Sequence, residues 1–294
     1  MKCTGGRPLE GGMEKEKQMQ QLVKDAVEGS REALEELVRQ IQQPVYSLSL
    51  RMLLDRQDAE DAAQEIIIRV ITNLHGYRFE GPFRAWVLRI AVNKLKTVRK
   101  TFAEKRMASI EDMDDILDRY EARGWLAKPL EAPEPYLEAE TRAICIHALL
   151  SALNRSLRLA FILGVVIGVD SREGAQILDV SPAAFRQRLS RARTRMQAFL
   201  ADNCGILADA NRCRCSCILP VYLKKGWIHP DKPMFVDQQD PEKEPALLGD
   251  YLRDMDELGR MTALYRSVAP SSPDFVARVK RIYDDPHYRI LADP

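Results

Sequence analysis

The chain has 294 residues and a mass of 33.5 kDa, with 46% apolar residues, 30% charged residues and a formal net charge of +1. That length holds two or three small domains with real cores, and the near-zero charge excludes a uniformly basic protein, so any basic site must be local. No N-terminal stretch has the apolar core of a signal peptide, and the longest apolar run, Leu159 to Val169, is short of the roughly 18 residues a bilayer span needs.

The expectation is therefore a cytoplasmic chain with no membrane insertion. There thiols stay reduced, and clustered cysteines suggest metal or redox chemistry before disulfides. Residues 1–12 are Gly-rich and a better helical pattern opens at Met13, which makes Met13 a second candidate start and gives Cys3 little weight. From Lys15 to Phe102 the periodicity is helical. Leu34, Leu37, Val38 and Ile41 sit at helical spacing and predict a helix ending before Pro44, with a second through Val45, Leu48 and Met52. A third opens at DRQDAEDAAQEIIIRVITNL, where Asp58, Glu60 and Asp61 crowd the positive end of the macrodipole. Gly81-Pro82 breaks the chain, and the basic helix FRAWVLRIAVNKLKTVRK follows. Residues 103–137 are acidic and Pro-stiffened, a linker with at most one short helix. A second helical block covers 138–201, then a cysteine segment, a Pro-containing connection, and two amphipathic helices near 247–267 and 273–284.

The clearest signal is DSREGAQILDVSPAAFRQRLSRARTRM. A short helix with small Ala175 leads to a tight connection at Asp179-Val180. Ser181 is a natural N-cap, and Pro182 fits the first turn of the next helix. This is helix-turn-helix grammar. In the second helix Phe185, Leu189, Ala192 and Met196 share one face. Arg188, Arg191 and Arg195 line one flank and Arg186 and Arg193 the other, with Gln187, Ser190 and Thr194 between them. Outer arginines suit phosphates and the central polar groups suit base edges. The competing reading is a solvated basic face on a core helix.

The basic helix after Gly81-Pro82 offers Arg89, Asn93, Lys96 and Lys100 on one side, beside a loop holding Tyr77, Arg78 and Phe79. Rings that stack bases beside cations that meet phosphates suit single-stranded DNA. Trp86 reads more simply as core.

Taken in order over about residues 20–200, DAEDAAQEIIIRV, FRAWVLRIAVNKL, a linker and a terminal helix-turn-helix resemble the extracytoplasmic-function sigma factors of the bacterial sigma-70 class. The resemblance implies an all-α fold of two helical modules: domain two (21–102) after a tail (1–20), and domain four (138–202) after the acidic linker (103–137). It implies core RNA polymerase and promoter DNA as partners, with an anti-sigma factor as a further candidate. Asp58, Asp61, Gln64 and Glu65 would lie in the polymerase-docking helix. Arg78, Phe79, Arg89, Asn93, Lys96 and Lys100 would face the −10 strand. Arg186, Gln187, Arg188, Ser190, Arg191 and Arg195 would face the −35 duplex, and the linker would thread a polymerase channel.

The chain departs from the minimal pattern by a Cys-rich segment (203–219) and a helical extension (220–294). CG followed by CRCSC resembles the tail of metal-responsive members that switch with copper or other soft metals. Alternate residues of an extended segment point the same way, about 6.5–7 Å apart. Cys213, Cys215 and Cys217 are thus expected to converge on one ion, with Cys204 as a fourth thiolate and Arg212 and Arg214 favouring the ionised form. Thiolates select Cu(I) or Zn(II). Sensing, structural zinc and redox switching all stay open, and Cys145 and His147 read as core. No phosphate-cradling loop, zinc-protease helix or nucleophile elbow supports catalysis or a catalytic cofactor. A stand-alone metal-responsive helix-turn-helix regulator is the alternative to a sigma factor, and a thiol-redox enzyme a third class.

Overall fold

The computed structural model describes residues 10–99, 109–127, 129–130, 133–236, 257–267 and 271–283. Among them every regular element is a helix, and the only strand-like pairing is an isolated bridge between Cys204 and Cys213. The elements are α1 (Glu10–Val27), α2 (Arg31–Leu53), α3 (Arg56–Thr72), a 3-10 turn (Leu74–Gly76), α4 (Phe83–Thr97), α5 (Ile110–Ala122), α6 (Pro135–Ala152), α7 (Arg155–Phe161), a π turn (Ile162–Ile167), α8 (Ser171–Leu178), α9 (Pro182–Asn203), α10 (Cys215–Lys224), α11 (Glu257–Ser267) and α12 (Phe275–Tyr283). The chain divides into two compact units, Met1–Ser49 with Glu60–Thr97 and Ser272–Pro294, and Leu50–Ala59 with Val98–Ser271.

In the first unit α2 runs unbroken through Pro44, against the expected break. The proline costs one backbone hydrogen bond. Leu34, Leu37, Val38 and Ile41 before it and Val45, Tyr46 and Leu48 after it are all buried, so packing holds both halves in one helix. Ile66, Ile67 and Val70 of α3 and Phe83, Val87, Leu88 and Leu95 of α4 complete this core. The first free amide of α4 is met by a side chain: Phe83 N–H donates to Glu16 Oε1 of α1 at 3.2 Å.

In the second unit the apolar run at 159–169 is helical as expected, but it loosens into the π turn and stops at Gly168 in the left-handed region (φ 82°). Arg158, only 3% exposed, donates to the carbonyls of Leu150, Ser151 and Leu153 at 2.9–3.1 Å, closing the end of α6 and the turn after it. The buried Glu140 of α6 accepts the backbone N–H groups of Met234, Phe235 and Val236 at 2.7, 2.9 and 3.0 Å. A buried carboxylate needs such donors, and these pin the segment after α10 to α6. His147 stacks on Phe235 with ring centroids 4.0 Å apart, so its reading as a packed core histidine agrees with the structure. The acidic stretch does hold a helix, α5, begun by a capping box between Ser109 and Asp112. Its Asp118 and Glu121 both accept from Arg212 at 2.6 Å, and its Asp114 accepts from Asn203 at 2.6 Å. Those acids are committed to the cysteine segment.

Of the two expected tail helices, α11 and α12 are the described parts. Leu248, Tyr251, Leu252 and Met255, expected on the apolar face of the first, lie outside the described residues. Tyr265 of α11 meets Phe161 edge-on at 4.9 Å, and Arg266 donates to the carbonyls of Val165 and Val166 at 3.1 Å.

Candidate functional site

The helix-turn-helix is α8 and α9. Asp179 in the left-handed region (φ 57°) turns the chain, and Ser181 Oγ accepts from Ala184 N–H at 3.1 Å as the N-cap of α9. The crossing is tight: a Cβ on Gly174 would stand 2.4 Å from Phe185 Cε2, and one on Gly164 would stand 2.6 Å from Leu189 Cδ2. The Phe185 ring is buried and cannot give way, so glycine is required at 174, whereas at 164 the contact is with the end of the half-buried Leu189 side chain. Phe185, Ala192 and Met196 are buried, which rotates Arg186, Gln187, Ser190, Arg191, Thr194 and Arg195 into solvent; Arg188 and Arg193 are half-buried. The buried crossing and the exposed basic face are thus two sides of one helix.

In the first unit the loop before α4 is built on rings. Tyr77 is buried, contacts Phe79 and Phe83 at 4.7 and 5.3 Å, and donates its hydroxyl to Gly81 O. Burial pushes its pKa up to about 12, with a smaller push from Glu16, so it stays a neutral donor. Phe79 sits in the left-handed region (φ 57°), unusual for a bulky residue, and is 38% exposed with Lys24 5.7 Å above its ring. Arg78, Arg89, Asn93 and Lys96 are exposed, while Lys100 lies outside the described residues. Trp86, read from sequence as core, is half-buried and lines a groove of about 420 Å³ with Arg69, Asn73, Ile90 and Asn93. Arg69 comes from α3 and Asn73 from the residue just after it, too far away in sequence for the periodicity of α4 to have found them.

The α3 acids divide. Asp58 and Asp61 are exposed and Gln64 half-buried. Glu65 is engaged within the module, by Arg69 at 2.6 Å and by Lys94 of α4. Lys94 first, then Arg69, holds the Glu65 carboxyl below its usual value against partial burial. The same unit takes in α12. Its N-terminus is met by two carboxamides, Gln43 Oε1 accepting from Ser272 N–H at 2.7 Å and Gln42 Oε1 from Phe275 N–H at 3.1 Å. Phe275 is fully buried, with its ring 6.3 Å from that of Tyr46, and Arg278 and Lys280 pair with Glu60 and Glu35 at 2.9 Å each.

The cysteines do not form the expected extended run. Only Cys213 is strand-like; Cys215 opens α10, so Cys215 and Cys217 are helical neighbours roughly 200° apart. Cys204, Cys213 and Cys215 line one apolar cavity of about 30 Å³, joined by Cys145 of α6, whereas Cys217 is buried elsewhere. The charge expectation is reversed as well. Burial pushes Cys213 and Cys215 up to about 12 and raises Cys204 and Cys145. Arg212 opposes this weakly at Cys213, being tied to Asp118 and Glu121, and Arg214 donates to Asp209 O. The cation that favours ionisation of Cys215 and Cys204 is Arg142, on the cavity wall. Among the described residues no three Cys, His, Asp or Glu side chains already stand in ligating geometry.

Comparison with known proteins follows the same division. Sigma-70 region 2 matches residues 37–106 and Sigma-70, region 4 matches 143–196. The ECF RNA polymerase sigma-E factor of Escherichia coli (strain K12) is 31% identical over 175 residues, 59% of this chain and 90% of that one. The RNA polymerase sigma-H factor of Pseudomonas aeruginosa is 28% identical over 178 residues, 60% of this chain and 91% of that one. A solved structure of CnrH in complex with the cytosolic domain of CnrY is similar at 21% identity and a TM-score of 0.44, over 61% of this chain and 95% of that one. Region 2 beside region 4 separates the chain from a stand-alone helix-turn-helix regulator, and residues beyond 196 lie outside both family matches. Among the described residues no helix is long and apolar enough to cross a membrane. The chain belongs to the extracytoplasmic-function sigma factors, non-enzymatic initiation factors of RNA polymerase, with an added C-terminal extension.

Proposed function

We propose that this sigma factor docks on core RNA polymerase through the exposed acids of α3, holds the −10 strand with the loop and α4, and reads the −35 duplex with α9. The observation that carries the reading is the α9 face, where five exposed or half-exposed arginines flank Gln187, Ser190 and Thr194 over a crossing with no room for a side chain at Gly174. At −10, Phe79 supplies an exposed ring, Arg78, Arg89 and Lys96 supply cations, and the groove at Trp86 adds a second stacking surface with Asn93 on its wall. Docking falls to Asp61 and Asp58 with Gln64; Glu65 contributes by holding α3 to α4. The chain works in the cytoplasm as a specificity subunit, with polymerase doing the chemistry. Run-off transcription with purified core enzyme tests this. Template-dependent initiation is expected, and Asp61→Arg should weaken core binding in competition with a housekeeping sigma. Unchanged affinity of that variant removes the α3 assignment.

The extension is the regulatory part of the proposal. A thiophilic metal, copper or zinc, at the C-terminal cysteines alters how the tail helices rest on the sigma modules. Supporting this, α10 and α11 pack in the unit that holds α9, while α12 occupies Glu60 and Glu35 in the unit that holds Asp61 and Glu65 of α3. A separate anti-sigma factor would have to compete with these segments. A reporter titrated with copper, zinc and cadmium should respond in the wild type and lose its response in Cys213→Ser and Cys215→Ser at equal protein level. A flat wild-type response to all three metals removes the sensing role.

A further inference from the structure

Four of the twelve residues lining the 30 Å³ cavity are cysteines, in a chain with only six cysteines among 294 residues. Chance placement would put fewer than one there, so the clustering calls for an explanation beyond cysteine's general habit of burial. The four come from three separate pieces of chain. Cys145 stands in the middle of α6, Cys204 is the C-cap of α9, and Cys213 and Cys215 lead into α10. Backbone hydrogen bonds fix two of these pieces together: Gly205 N–H donates to Cys213 O at 2.9 Å, and Cys213 N–H donates to Asn203 O at 3.2 Å. Asn211 side-chain N–H groups reach Ala201 O and Cys204 O at 2.7 and 3.1 Å, closing the loop between them.

From this arrangement we infer a tetrathiolate site for one d10 divalent ion, made by Cys145, Cys204, Cys213 and Cys215, with Cys217 outside it. The inference rests on the metal-responsive reading above and names its ligands. A cavity of that size takes one ion or a water, and it offers sulfur where a water would want oxygen or nitrogen. Four thiolates in tetrahedral array are the common structural donor set for zinc and its analogues. On binding, four S–H bonds break, four protons leave to solvent and four metal–sulfur bonds form, leaving a net charge of −2. Arg142, on the cavity wall, is placed to meet that charge. The thiols do not stand in ligating geometry as they are, so binding requires them to turn about their single side-chain torsion.

The assignment changes what the metal can do. Cys145 lies inside the region 4 match and Cys204 closes the DNA-reading helix, so the ion joins the extension to the −35 module from within it. A site made by the tail alone would leave α6 free of metal control.

The test is a cadmium titration of the reduced full-length chain, read by thiolate-to-metal charge-transfer absorbance. The wild type should bind one ion with the intensity of four thiolates. Cys217→Ser should match it in intensity and affinity. Cys145→Ser should lose about a quarter of the intensity and bind at least about tenfold more weakly. Cys145→His, which keeps a donor, should still hold one ion at three-thiolate intensity, so the result does not depend on the serine variant folding. Saturable wild-type binding that Cys145 variants leave unchanged, or that Cys217→Ser diminishes, overturns this ligand set while leaving metal regulation standing. No saturable binding by the wild type overturns both, and run-off transcription then judges the sigma role separately.

Discussion

Replacing Phe275 by alanine removes the apolar anchor of α12, and the structure allows the consequence to be sized. The Phe275 side chain is fully buried against Tyr46, and truncating a buried phenylalanine costs about 3–5 kcal/mol. The polar ties that remain are weaker. Arg278–Glu60 and Lys280–Glu35 are partly exposed pairs, with side chains between 20% and 49% accessible, each contributing about 0.2–1 kcal/mol. The two glutamine–amide hydrogen bonds contribute about 0.5–1.5 kcal/mol each. With these ties only the smaller buried side chains Val276 and Val279 are left to hold a nine-residue helix that has no stability of its own, so the loss should weaken its docking without abolishing it. Docking should weaken roughly a hundredfold or more, which follows from 1.4 kcal/mol per factor of ten. Hydrogen exchange is the direct assay: amides of 275–283 should lose protection in Phe275→Ala while those of α2 and α4 keep theirs. If α12 shields the docking acids, core-polymerase affinity should rise in the same variant. Protection of 275–283 that is unchanged in a folded variant refutes the anchoring argument, and lost protection with unchanged polymerase affinity refutes the shielding.

On α9, Arg191→Ala should weaken binding to all −35 sequences and reduce the salt slope by about one, whereas Gln187→Ala should change base preference; an exchange of these outcomes would mean the helix is docked in the other orientation. Gly174→Ala places a Cβ 2.4 Å from the Phe185 ring and should destabilise the second unit by about 1–3 kcal/mol, seen as a lower melting temperature; an unchanged melting point means α8 and α9 can separate freely. Glu65 has its pKa lowered in the fold, so its contribution to stability is present above the unfolded value near 4.5 and fades as pH falls below it. Denaturant unfolding of Glu65→Gln should accordingly fall short of wild type at neutral pH and converge with it in acid, and a constant gap across that range would exclude the ion pair as the cause.

Local chemistry made much of this protein legible in the sequence. The acid-rich start of α3, the break at Gly81-Pro82, the Ser181 cap with Pro182 behind it and the apolar stripe of α9 each rest on residues within a few positions of one another. Capping and helical period are properties of such short stretches. The all-helical class and the arginine rows of α9 followed from them, and the order of the two sigma modules from the resemblance that these segments carry. What failed or was missing required partners far away in the chain. Pro44 reads as a stop, but buried residues on both sides carry α2 through it. Glu65 reads as a free docking acid, yet Lys94 reaches it from α4. The acidic stretch reads as a linker, while Arg212 holds its helix α5 through Asp118 and Glu121. Alternation in CRCSC suggested convergent thiols, but α10 begins at Cys215 and turns Cys217 away, and Cys145, about seventy residues upstream, takes the place beside the cavity. Sequence spacing determines which side chains share a face of one element. Which faces meet, and therefore which cations and thiols become neighbours, depends on the packing of whole helices, and only the tertiary structure decided that.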